Sequence, residues 1–243
     1  MDPKYSEAYR ELFEKHWWWR SRTEFIIEKL RRLQPPQSWK RILDIGCGDA
    51  LFFDRLAEFG EVEGVEPCAE LLKTDNPHRS RIYTARFDSN FRTDKRYSLI
   101  FLLDVLEHLE NPVSALRHAL DFLTPDGLVV ITAPAFMALW TNHDVLNEHR
   151  IRYTKRSFRE VARKAGFHIQ EERYFYHWTF PVKLGIRIVE KASHARPRPP
   201  KLPPDLVNRA LFQLSRLEQK TLSALPMPFG SSLLVIGGKA KLN

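Results

Sequence analysis

Short, largely apolar runs alternate along the chain with longer segments of helical periodicity. The runs at 41–46, 62–67 and 97–104 have the length and composition of buried strands. Four further strands are predicted over RIYTARF, LVVITAP, FHIQEERYFY and SSLLVIGGKA. Because parallel strands need a crossover connection, usually a helix, the alternation predicts an α/β fold with a sheet covered on both faces.

Capping signals mark several helix ends. A long N-terminal helix is expected from Ser6, as its cap, to about residue 33, where PPQS ends it. The segment 50–59 reads as the helix after the first strand. Asn111 precedes a proline and predicts a helix start, and Gly166 follows a helix predicted over 155–165.

The segment 178–228, between the last two strands, departs from this alternation. It holds the proline-rich stretch RPRPPKLPP between two helical segments, at about 181–192 and 205–225. Its acidic residues are Glu190, Asp205 and Glu218. Its basic residues are Lys183, Arg187, Lys191, Arg196, Arg198, Lys201, Arg209, Arg216 and Lys220. The segment therefore carries most of the chain's net charge of +8.

Three interpretations of this basic insertion stay open. It is a helical cap over the substrate, a dimer interface, or a pair of helices that lie on an anionic bilayer and bring the site to a lipid-linked substrate. A homodimer is therefore possible, as is a peripheral contact with a membrane through 178–228.

Length and composition bound the class of protein. With 243 residues and 43% hydrophobic content, we expect a single domain over 1–243. The opening MDPKYSE lacks the order of a secretory signal, and the longest apolar stretch, at 128–140, is too short to cross a bilayer. Cys47 and Cys68 form neither a zinc pattern nor a disulfide framework. These features predict a cytoplasmic protein, and an insertion that lies on a bilayer would place it peripherally at the inner face of the membrane.

The stretch LDIGCGDA, at 43–50, follows the first strand and predicts a nucleotide-type site. Gly46 and Gly48 let the backbone approach a ligand closely, and Glu66 lies 20 residues after Gly46 at the next strand end. A carboxylate there can accept both hydroxyls of a ribose. Leu51 stands where a dinucleotide fingerprint would need a third glycine, which disfavours a nicotinamide or flavin cofactor.

Together, ILDIGCG, VEGVEP, YSLIFLLDVLEHLENP and LTPDGLVVITAP resemble the successive motifs of class I S-adenosylmethionine-dependent methyltransferases. The resemblance covers about 39–167 and is to the broad group that includes quinone-biosynthesis methyltransferases. HWWWRSR and NEHRIRYT also resemble members of that group often found beside polysaccharide-assembly enzymes. In one departure, Ser98 stands where strand four usually has an Asp.

The resemblance implies a Rossmann-like seven-stranded mixed sheet of order 3-2-1-4-5-7-6 with helices on both faces. It also implies an N-terminal helical lid within 1–38 and leaves 178–228 as a helical insertion between strands six and seven. The cofactor would be S-adenosyl-L-methionine, with S-adenosyl-L-homocysteine as product.

Roles for particular residues follow from the same resemblance. Asp44 and the loop 46–48 would hold the methionine end, and Glu66 would bind the ribose. Asp88 would accept from the exocyclic amine of the adenine, with Pro67, Phe87 and Ser89 beside the adenine. Leu103 and Asp104 would line the methionine moiety. The full set of expected cofactor residues is Asp44, Gly46, Cys47, Gly48, Glu66, Pro67, Phe87, Asp88, Ser89, Leu103 and Asp104, together with Arg20 and with His108 as a packing residue at the floor of the cofactor site.

Methyl transfer needs a base only when the nucleophile carries a proton of high pKa, such as a sugar hydroxyl. The segment after strand five lies beyond the carboxyl end of the sheet, where ligands bind in open α/β folds. We expect His143 or His149 to be the base, Asp144 or Glu148 to orient the imidazole, and Tyr153 to donate to the substrate. The spacing of Asp, Glu and His residues matches no helical metal motif, so no metal is expected.

Three consecutive tryptophans at 17–19 point in different directions on a helix, because neighbours are about 100° apart. Trp19 shares the apolar stripe of the predicted helix and should be core. Trp17 and Trp18 would then form a lid over cofactor and substrate, or provide extra packing. The cationic residues that could reach the methionine carboxylate or an anionic substrate are His16, Arg20 and Arg22.

These observations predict an S-adenosylmethionine-dependent methyltransferase with a small-molecule acceptor. The acceptor is expected to be an oxygen of a glycan precursor, a quinone-like phenol or a lipid-linked intermediate. One alternative is an RNA methyltransferase, although strand four ends in LLDVLEH without the Asn/Asp-Pro-Pro-aromatic motif used on base amines, so no nucleic-acid partner is expected. The other is a cofactor-binding protein without catalysis.

Overall fold

A computed structural model describes residues 3–193, 197, 199–222 and 225–240, with side chains from Tyr9 onward. The side chain of Ser6, predicted as a cap, and the basic residues Arg196 and Arg198 lie outside this description. The strands are β1 (Arg41–Ile45), β2 (Glu61–Val65), β3 (Ile82–Tyr83), β4 (Tyr97–Leu103), β5 (Leu123–Pro134), β6 (Phe167–Phe175) and β7 (Ser232–Lys239).

The seven strands form one mixed sheet in the order β3-β2-β1-β4-β5-β7-β6 with helices on both faces, which confirms the predicted fold class. The pairs β1–β2, β1–β4, β2–β3 and β4–β5 are parallel. Ile42, Leu43 and Ile45 of the central strand β1 are almost completely buried. The continuously apolar strand pattern therefore reflects burial on both faces of the sheet.

Eight α-helices lie among the described residues. They are α1 (Pro3–Lys15), α2 (Trp17–Leu33), α3 (Phe53–Leu56), α4 (Pro112–Phe122), α5 (Asn142–Leu146), α6 (Lys155–Ala165), α7 (Thr179–Ser193) and α8 (Asp205–Thr221). The predicted caps of α4 and α6 are confirmed. The Asn111 side chain accepts from the Ser114 N–H at 3.0 Å, and Gly166 ends α6 with φ +78°. The helix predicted over 50–59 is reduced to the single turn of α3.

The prediction of one continuous N-terminal helix is wrong, because the chain breaks at His16. The Nδ1 atom of His16 accepts from the Trp18 N–H at 3.1 Å, and the Asn208 Oδ1 atom accepts from the Trp17 N–H at 2.8 Å. These two side chains satisfy N–H groups that a new helix start leaves unpaired. The break is therefore stabilised by a partner 191 positions away in sequence.

The third strand is shorter than predicted. It pairs with β2 at only two positions and ends at Tyr83, after which the Ala85 N–H donates to the Tyr83 carbonyl at 3.0 Å. This turn takes the chain out of the strand. The residues at 87–89, expected at the strand end, therefore lie in a bend four or more positions beyond it.

Contacts divide the described chain into two compact units. The sheet unit comprises 33–133, 154–172 and 234–240, and its core is built on β1 and β4. The helical unit comprises 3–32, 134–153 and 173–233 and includes α1, α2, α5, α7 and α8. Among the described residues, no helix is both long enough and apolar enough to cross a membrane.

Candidate functional site

The turn after β1, in the sheet unit, is held by backbone hydrogen bonds. The N–H groups of Gly46 and Cys47 donate to the Val65 carbonyl at 2.8 and 3.3 Å. Gly46 has φ +74°, and a Cβ on it would lie 2.7 Å from Cγ2 of Val105. Both the backbone conformation and the close approach therefore require glycine at this position.

Glu66 lies directly against this turn. Its Oε2 atom accepts from the Gly48 N–H at 2.9 Å, and its Oε1 atom accepts from the Cys68 N–H at 3.0 Å. Burial raises the pKa of Glu66, and these two backbone donors act in the opposite direction. A carboxylate oxygen has two lone pairs, so each oxygen can accept one further hydrogen bond, as the vicinal hydroxyls of a ribose require.

Gly48 leaves open space above the turn. Its φ is +53°, and a Cβ built on it would meet no atom within 4 Å. This is a cradle in which a ligand can approach the backbone closely. Cys47, by contrast, packs underneath, since a Cβ at Gly64 would lie 2.4 Å from its sulfur. Burial raises the pKa of the Cys47 thiol well above its usual value, so the thiol stays neutral.

Two carboxylates lie at the ends of the central strands. Asp44 is buried in β1, in register with Gly64 of β2 and Phe101 of β4. Asp104 follows Leu103, the last residue of β4, and has φ +56°. Its N–H donates to the Thr132 carbonyl at 2.9 Å, and its Oδ1 atom accepts from the Thr132 hydroxyl at 3.1 Å. Parallel pairing thus brings Asp44, Glu66 and Asp104 to the same edge of the sheet.

The residues expected near the adenine lie in bends and turns outside the strands. The Phe87 ring packs in an aromatic cluster with the rings of Phe91, His118 and Phe122. Asp88 and Ser89 are exposed, and the Asp88 Oδ1 atom accepts from the Asn90 N–H. Pro67 is exposed next to Glu66, and His108 lies in the turn after β4, where its N–H donates to the Val105 carbonyl. Their contacts with a cofactor remain predictions.

In the helical unit, the side chain of Asp144 is completely buried and collects several donors. It accepts from the Thr141 N–H at 2.8 Å and from Nε and Nη2 of Arg152 at 2.8 and 2.7 Å. Nδ1 of His149 lies 2.8 Å from its Oδ1 atom. Burial alone would raise the pKa of Asp144, but the hydrogen bonds from His149 and Arg152 outweigh it and hold this pKa below its usual value.

The ionised Asp144 carboxylate can only accept, so Nδ1 of His149 carries the proton of that hydrogen bond. Nδ1 is thus the donor nitrogen towards Asp144, an orientation shared by the carboxylate–imidazole pairs of known general bases. Sequence reasoning named Asp144 as one possible orienting residue for an imidazole, and the structure brings it onto His149. Glu148 is exposed.

His143 and Tyr153 have different surroundings. Burial, followed by the charge of Lys183, lowers the pKa of His143 to about 3, so its imidazole is neutral but weakly basic. Tyr153 is 1% exposed, and its backbone pairs with Pro134 and Phe136. Both residues belong to the helical unit together with His149, and their roles remain predictions.

Arg152 was missed by sequence reasoning, although its guanidinium donates to both carboxylate oxygens of Asp144 and the residue is 2% exposed. No local signal marks it, because it acts across a loop. Thr141 could have been found, since Thr-x-x-Asp before a helix is a capping-box pattern and the box is present at α5.

The three tryptophans belong to an aromatic cluster of the helical unit. Trp19 is buried, as predicted. Trp17 packs on the rings of Tyr176 and Trp178, and Trp18 stacks on Tyr176. Both are half-buried, so packing uses part of each ring.

The candidate cationic residues of α2 and its cap also have partners. His16 packs against Trp17 and Trp19, and burial lowers its pKa to about 4. Arg20 is exposed and lies over the Phe212 ring at 4.6 Å, while Arg22 is buried near the Trp18 ring. Contacts of these side chains with a ligand remain predictions.

Comparison with known families identifies the class of protein. A family model described as a methyltransferase domain matches residues 18–172, more than half of the 243-residue chain. The chain therefore belongs to the methyltransferase-domain family, within the class I S-adenosylmethionine-dependent methyltransferases.

Two relatives are ubiquinone biosynthesis O-methyltransferases. The protein from Rickettsia felis is 27% identical over 143 residues, which are 50% of this chain and 59% of that protein. The protein from Glaesserella parasuis is 30% identical over 117 residues, 41% of this chain and 50% of that protein. The chain thus matches less than two thirds of the length of either relative.

Solved structures show the same fold at low identity. An S-adenosylmethionine-dependent methyltransferase from Clostridium acetobutylicum has a TM-score of 0.57 and 11% identity, with 91% of this chain and 92% of that chain covered. A phosphoethanolamine N-methyltransferase from Haemonchus contortus, solved with S-adenosylhomocysteine, has a TM-score of 0.54 and 15% identity over 87% and 51% of the chains.

The sheet unit fits the cofactor of this family. Gly48 leaves the space that a close-lying ligand needs, and Glu66 is already fixed by two backbone donors. The protein thus has the fold and the cofactor-loop geometry of this methyltransferase family. Its predicted independence of metal ions remains a prediction.

Proposed function

We propose that the protein transfers a methyl group from S-adenosylmethionine to an oxygen of a small-molecule acceptor. The acceptor would be a glycan precursor, a quinone-like phenol or a lipid-linked intermediate. The observation that carries the proposal is the Asp144–His149 pair, with 2.8 Å between carboxylate and imidazole. An O-methyltransferase must remove a hydroxyl proton, and the relatives named O-methyltransferases agree with this chemistry.

In this proposal the cofactor supplies an electrophilic methyl group on a sulfonium. Glu66 accepts the two ribose hydroxyls with the lone pairs that Gly48 and Cys68 leave available. Asp44 and the backbone at 46–48 hold the methionine end, and Asp104 and Leu103 line it. The chain contributes mainly by alignment, which is worth about 7–11 kcal/mol in well-oriented reactions.

His149 is the proposed general base. Its Nε2 atom would accept the proton of the acceptor hydroxyl while the bond from the oxygen to the methyl carbon forms and the bond from that carbon to sulfur breaks, with S-adenosylhomocysteine as the leaving group. The Asp144 carboxylate would stabilise the imidazolium that forms. His143 is the weaker candidate, because its pKa of about 3 gives it little driving force to take a proton. Tyr153 remains a proposed donor to the acceptor.

Trp17 and Trp18 remain the proposed lid, with His16, Arg20 or Arg22 available for an anionic group. The half-buried rings of both tryptophans support this role. Separate Trp17→Ala and Trp18→Ala variants are expected to weaken cofactor affinity or turnover. Unchanged calorimetric affinity and unchanged rate in both variants would leave packing as the only role of these rings.

The class of acceptor is tested by transfer of tritium from labelled S-adenosylmethionine into a cell extract. The extract is then separated into nucleic-acid, lipid and small-molecule fractions. We expect the label in the small-molecule or lipid fraction. Analysis of the purified product should show that the label is carried by an O-methyl group. Label in RNA or DNA, or no transfer by a protein that binds the cofactor, would contradict the proposal.

The base is tested by His149→Gln. General-base catalysis contributes about 10²–10⁴-fold, so we expect a loss of that order in kcat with cofactor affinity unchanged. His168→Gln is the matched control, since His168 is an exposed imidazole on β6. Equal rates for the two variants would exclude His149 as the base.

A further inference from the structure

Helix α7 turns its polar side inward and its apolar side outward, which is the reverse of an ordinary surface helix. In its first turn, Phe180 packs on the rings of Phe136 and Phe229. Beyond that turn, the inward stripe at i, i+4 and i+7 consists of charged residues, Lys183, Arg187 and Glu190. Arg187 donates to the Met137 carbonyl, and Glu190 accepts from the Asn142 N–H at 2.8 Å. In a surface helix that stripe is normally apolar.

The outward side of α7 is aliphatic instead. Ile188 and Val189 are each 64% exposed. The other exposed aliphatic side chains of this helix are Val182, Leu184 and Ile186. Five large aliphatic residues exposed on one helix of 15 residues exceed the scattered apolar residues of an ordinary surface.

Helix α8 is built in the same way. All its buried residues are polar or charged: Asn208, Ser215, Arg216, Glu218 and Gln219. Its exposed aliphatic residues are Leu206, Val207, Leu214 and Leu217. The inward residues hold the unit by hydrogen bonds. At the helix break, Asn208 accepts from the Trp17 N–H and donates to the Lys15 carbonyl. Glu218 accepts from the Trp178 N–H at 2.8 Å, and Gln219 donates to the Ser21 carbonyl.

The exposed charges of this segment are mainly positive. Among the described residues of 179–222, the exposed charged side chains are Lys191, Lys201, Arg209, Lys220 and Asp205. A segment that presents aliphatic side chains and cations together to its surroundings complements a surface that is apolar below an anionic layer. Such a surface is the interface of an anionic bilayer.

A second copy of the chain is a poorer partner for this surface. A two-fold dimer would place the same basic segment on both sides of the interface, and like charges would face each other. A helix of 15 residues is about 22 Å long, shorter than the hydrocarbon core of about 30 Å, so α7 fits a position in the plane of the interface.

We propose that α7 and α8 bind the surface of an anionic lipid bilayer, with the outward aliphatic residues of α7 entering the interface and the exposed lysines and arginine contacting lipid headgroups. This inference is independent of the proposed acceptor, because it rests on the burial pattern of two helices and not on the site at β1 or on His149.

The test is flotation of the full-length protein with phosphatidylcholine vesicles, with and without phosphatidylglycerol. We expect binding that depends on the anionic lipid and weakens with salt. Ile188→Ser with Val189→Ser should lower the partition coefficient about tenfold or more, since two aliphatic side chains no longer leave water. Val189→Ser alone is compared with Val145→Ser, a matched exposed valine on α5 that should change nothing.

A second variant tests the charges. Lys201→Gln, Arg209→Gln and Lys220→Gln together should lower binding to anionic vesicles by an order of a hundredfold, at about 1 kcal/mol per cation. All substituted side chains are exposed, and thermal unfolding verifies that the fold is retained.

Three results would overturn the proposal: no flotation of wild-type protein with either vesicle, equal binding by wild type and both multiple variants, or a dimer in sedimentation that the α7 substitutions dissociate while no vesicle binding occurs. Loss of methyl transfer has no bearing on this readout, so failure of the membrane contact and failure of the proposed function are distinguishable.

Discussion

At the scale of single residues, neighbours give several titratable groups roles that their residue types alone do not predict. His16 is a helix cap, because its Nδ1 atom accepts the Trp18 N–H while its ring packs between Trp17 and Trp19. Asp144 combines a cap at α5 with a charge partner for Arg152 and an orienting bond to His149. One buried carboxylate thus connects local helix formation to candidate chemistry.

The buried His16 should make stability depend on pH. Its pKa is about 4 in the folded protein against 6.5 unfolded, so the unfolded state takes up a proton first as pH falls. The contribution is fully present above about pH 6.5 and is lost towards pH 4. His16→Asn keeps an acceptor for the Trp18 N–H but cannot titrate. We expect it to reduce the loss of unfolding free energy between pH 7 and 4.5 by about 2–3 kcal/mol.

Urea unfolding at the two pH values measures this difference, and His16→Ala controls for loss of the cap, which costs about 0.5–2 kcal/mol at either pH. Identical pH dependence in wild type and His16→Asn would show that His16 titrates normally in the fold.

At the scale of elements, the turn after β1 divides two tasks between two glycines. Gly46 is needed by the fold, because its Cβ would meet Val105. Gly48 also has positive φ, but the space at its Cα is open. The first glycine lets the turn pack against Val105, which follows β4, and the second leaves room for a ligand.

Alanine at each glycine should therefore have different effects. Gly46→Ala should lower the free energy of unfolding by about 2–5 kcal/mol, from positive φ together with overpacking against Val105. Gly48→Ala should cost only about 1–2 kcal/mol for its positive φ. Because its Cβ enters the cradle, it should weaken S-adenosylhomocysteine affinity by about tenfold or more.

Chemical unfolding and calorimetric titration of both variants separate the two effects. Wild-type affinity in a folded Gly48→Ala protein would mean that no ligand lies close to that backbone. Equal stability of the two variants would contradict the contact assigned to Gly46.

At the scale of the whole molecule, the sheet unit contains the implied cofactor residues of the β1, β2 and β4 ends, and the helical unit contains the candidate base and the tryptophans. Among the described residues, those expected to bind the cofactor thus lie mainly in the sheet unit, and those proposed to act on the acceptor lie in the helical unit. The family match at 18–172 includes parts of both units.

Cofactor binding should stabilise the whole protein. At a hundredfold excess of S-adenosylhomocysteine over its Kd, the gain is about 2.7 kcal/mol. For a chain of this size, that raises Tm by about 5–10 °C. Glu66→Gln should reduce the shift, because an amide has one acceptor oxygen in place of two.

Differential scanning calorimetry with and without the ligand measures the shift, and Glu61→Gln, at an exposed carboxylate of β2, is the control. No shift in the wild-type protein at millimolar ligand would contradict the assignment of the loop at 46–48.

The sequence by itself determined the features that depend on neighbours along the chain. The apolar runs predicted the strands, Asn111 and Gly166 predicted helix ends, and the Gly46–Gly48 turn with Glu66 predicted the edge where a nucleoside fits. Each is a local signal, because periodicity and capping act over a few residues and parallel strands align their carboxyl ends. The family resemblance added the strand order, which the structure confirms.

Only the tertiary structure decided the rest. The helix break at His16 depends on Asn208, the ionisation of Asp144 depends on Arg152, and the end of β3 depends on its short pairing with β2. Helical periodicity shows which residues of α7 and α8 share a face, but it does not show which face turns inward. That choice is made by hydrogen-bond partners far away in sequence, and here they select the polar faces.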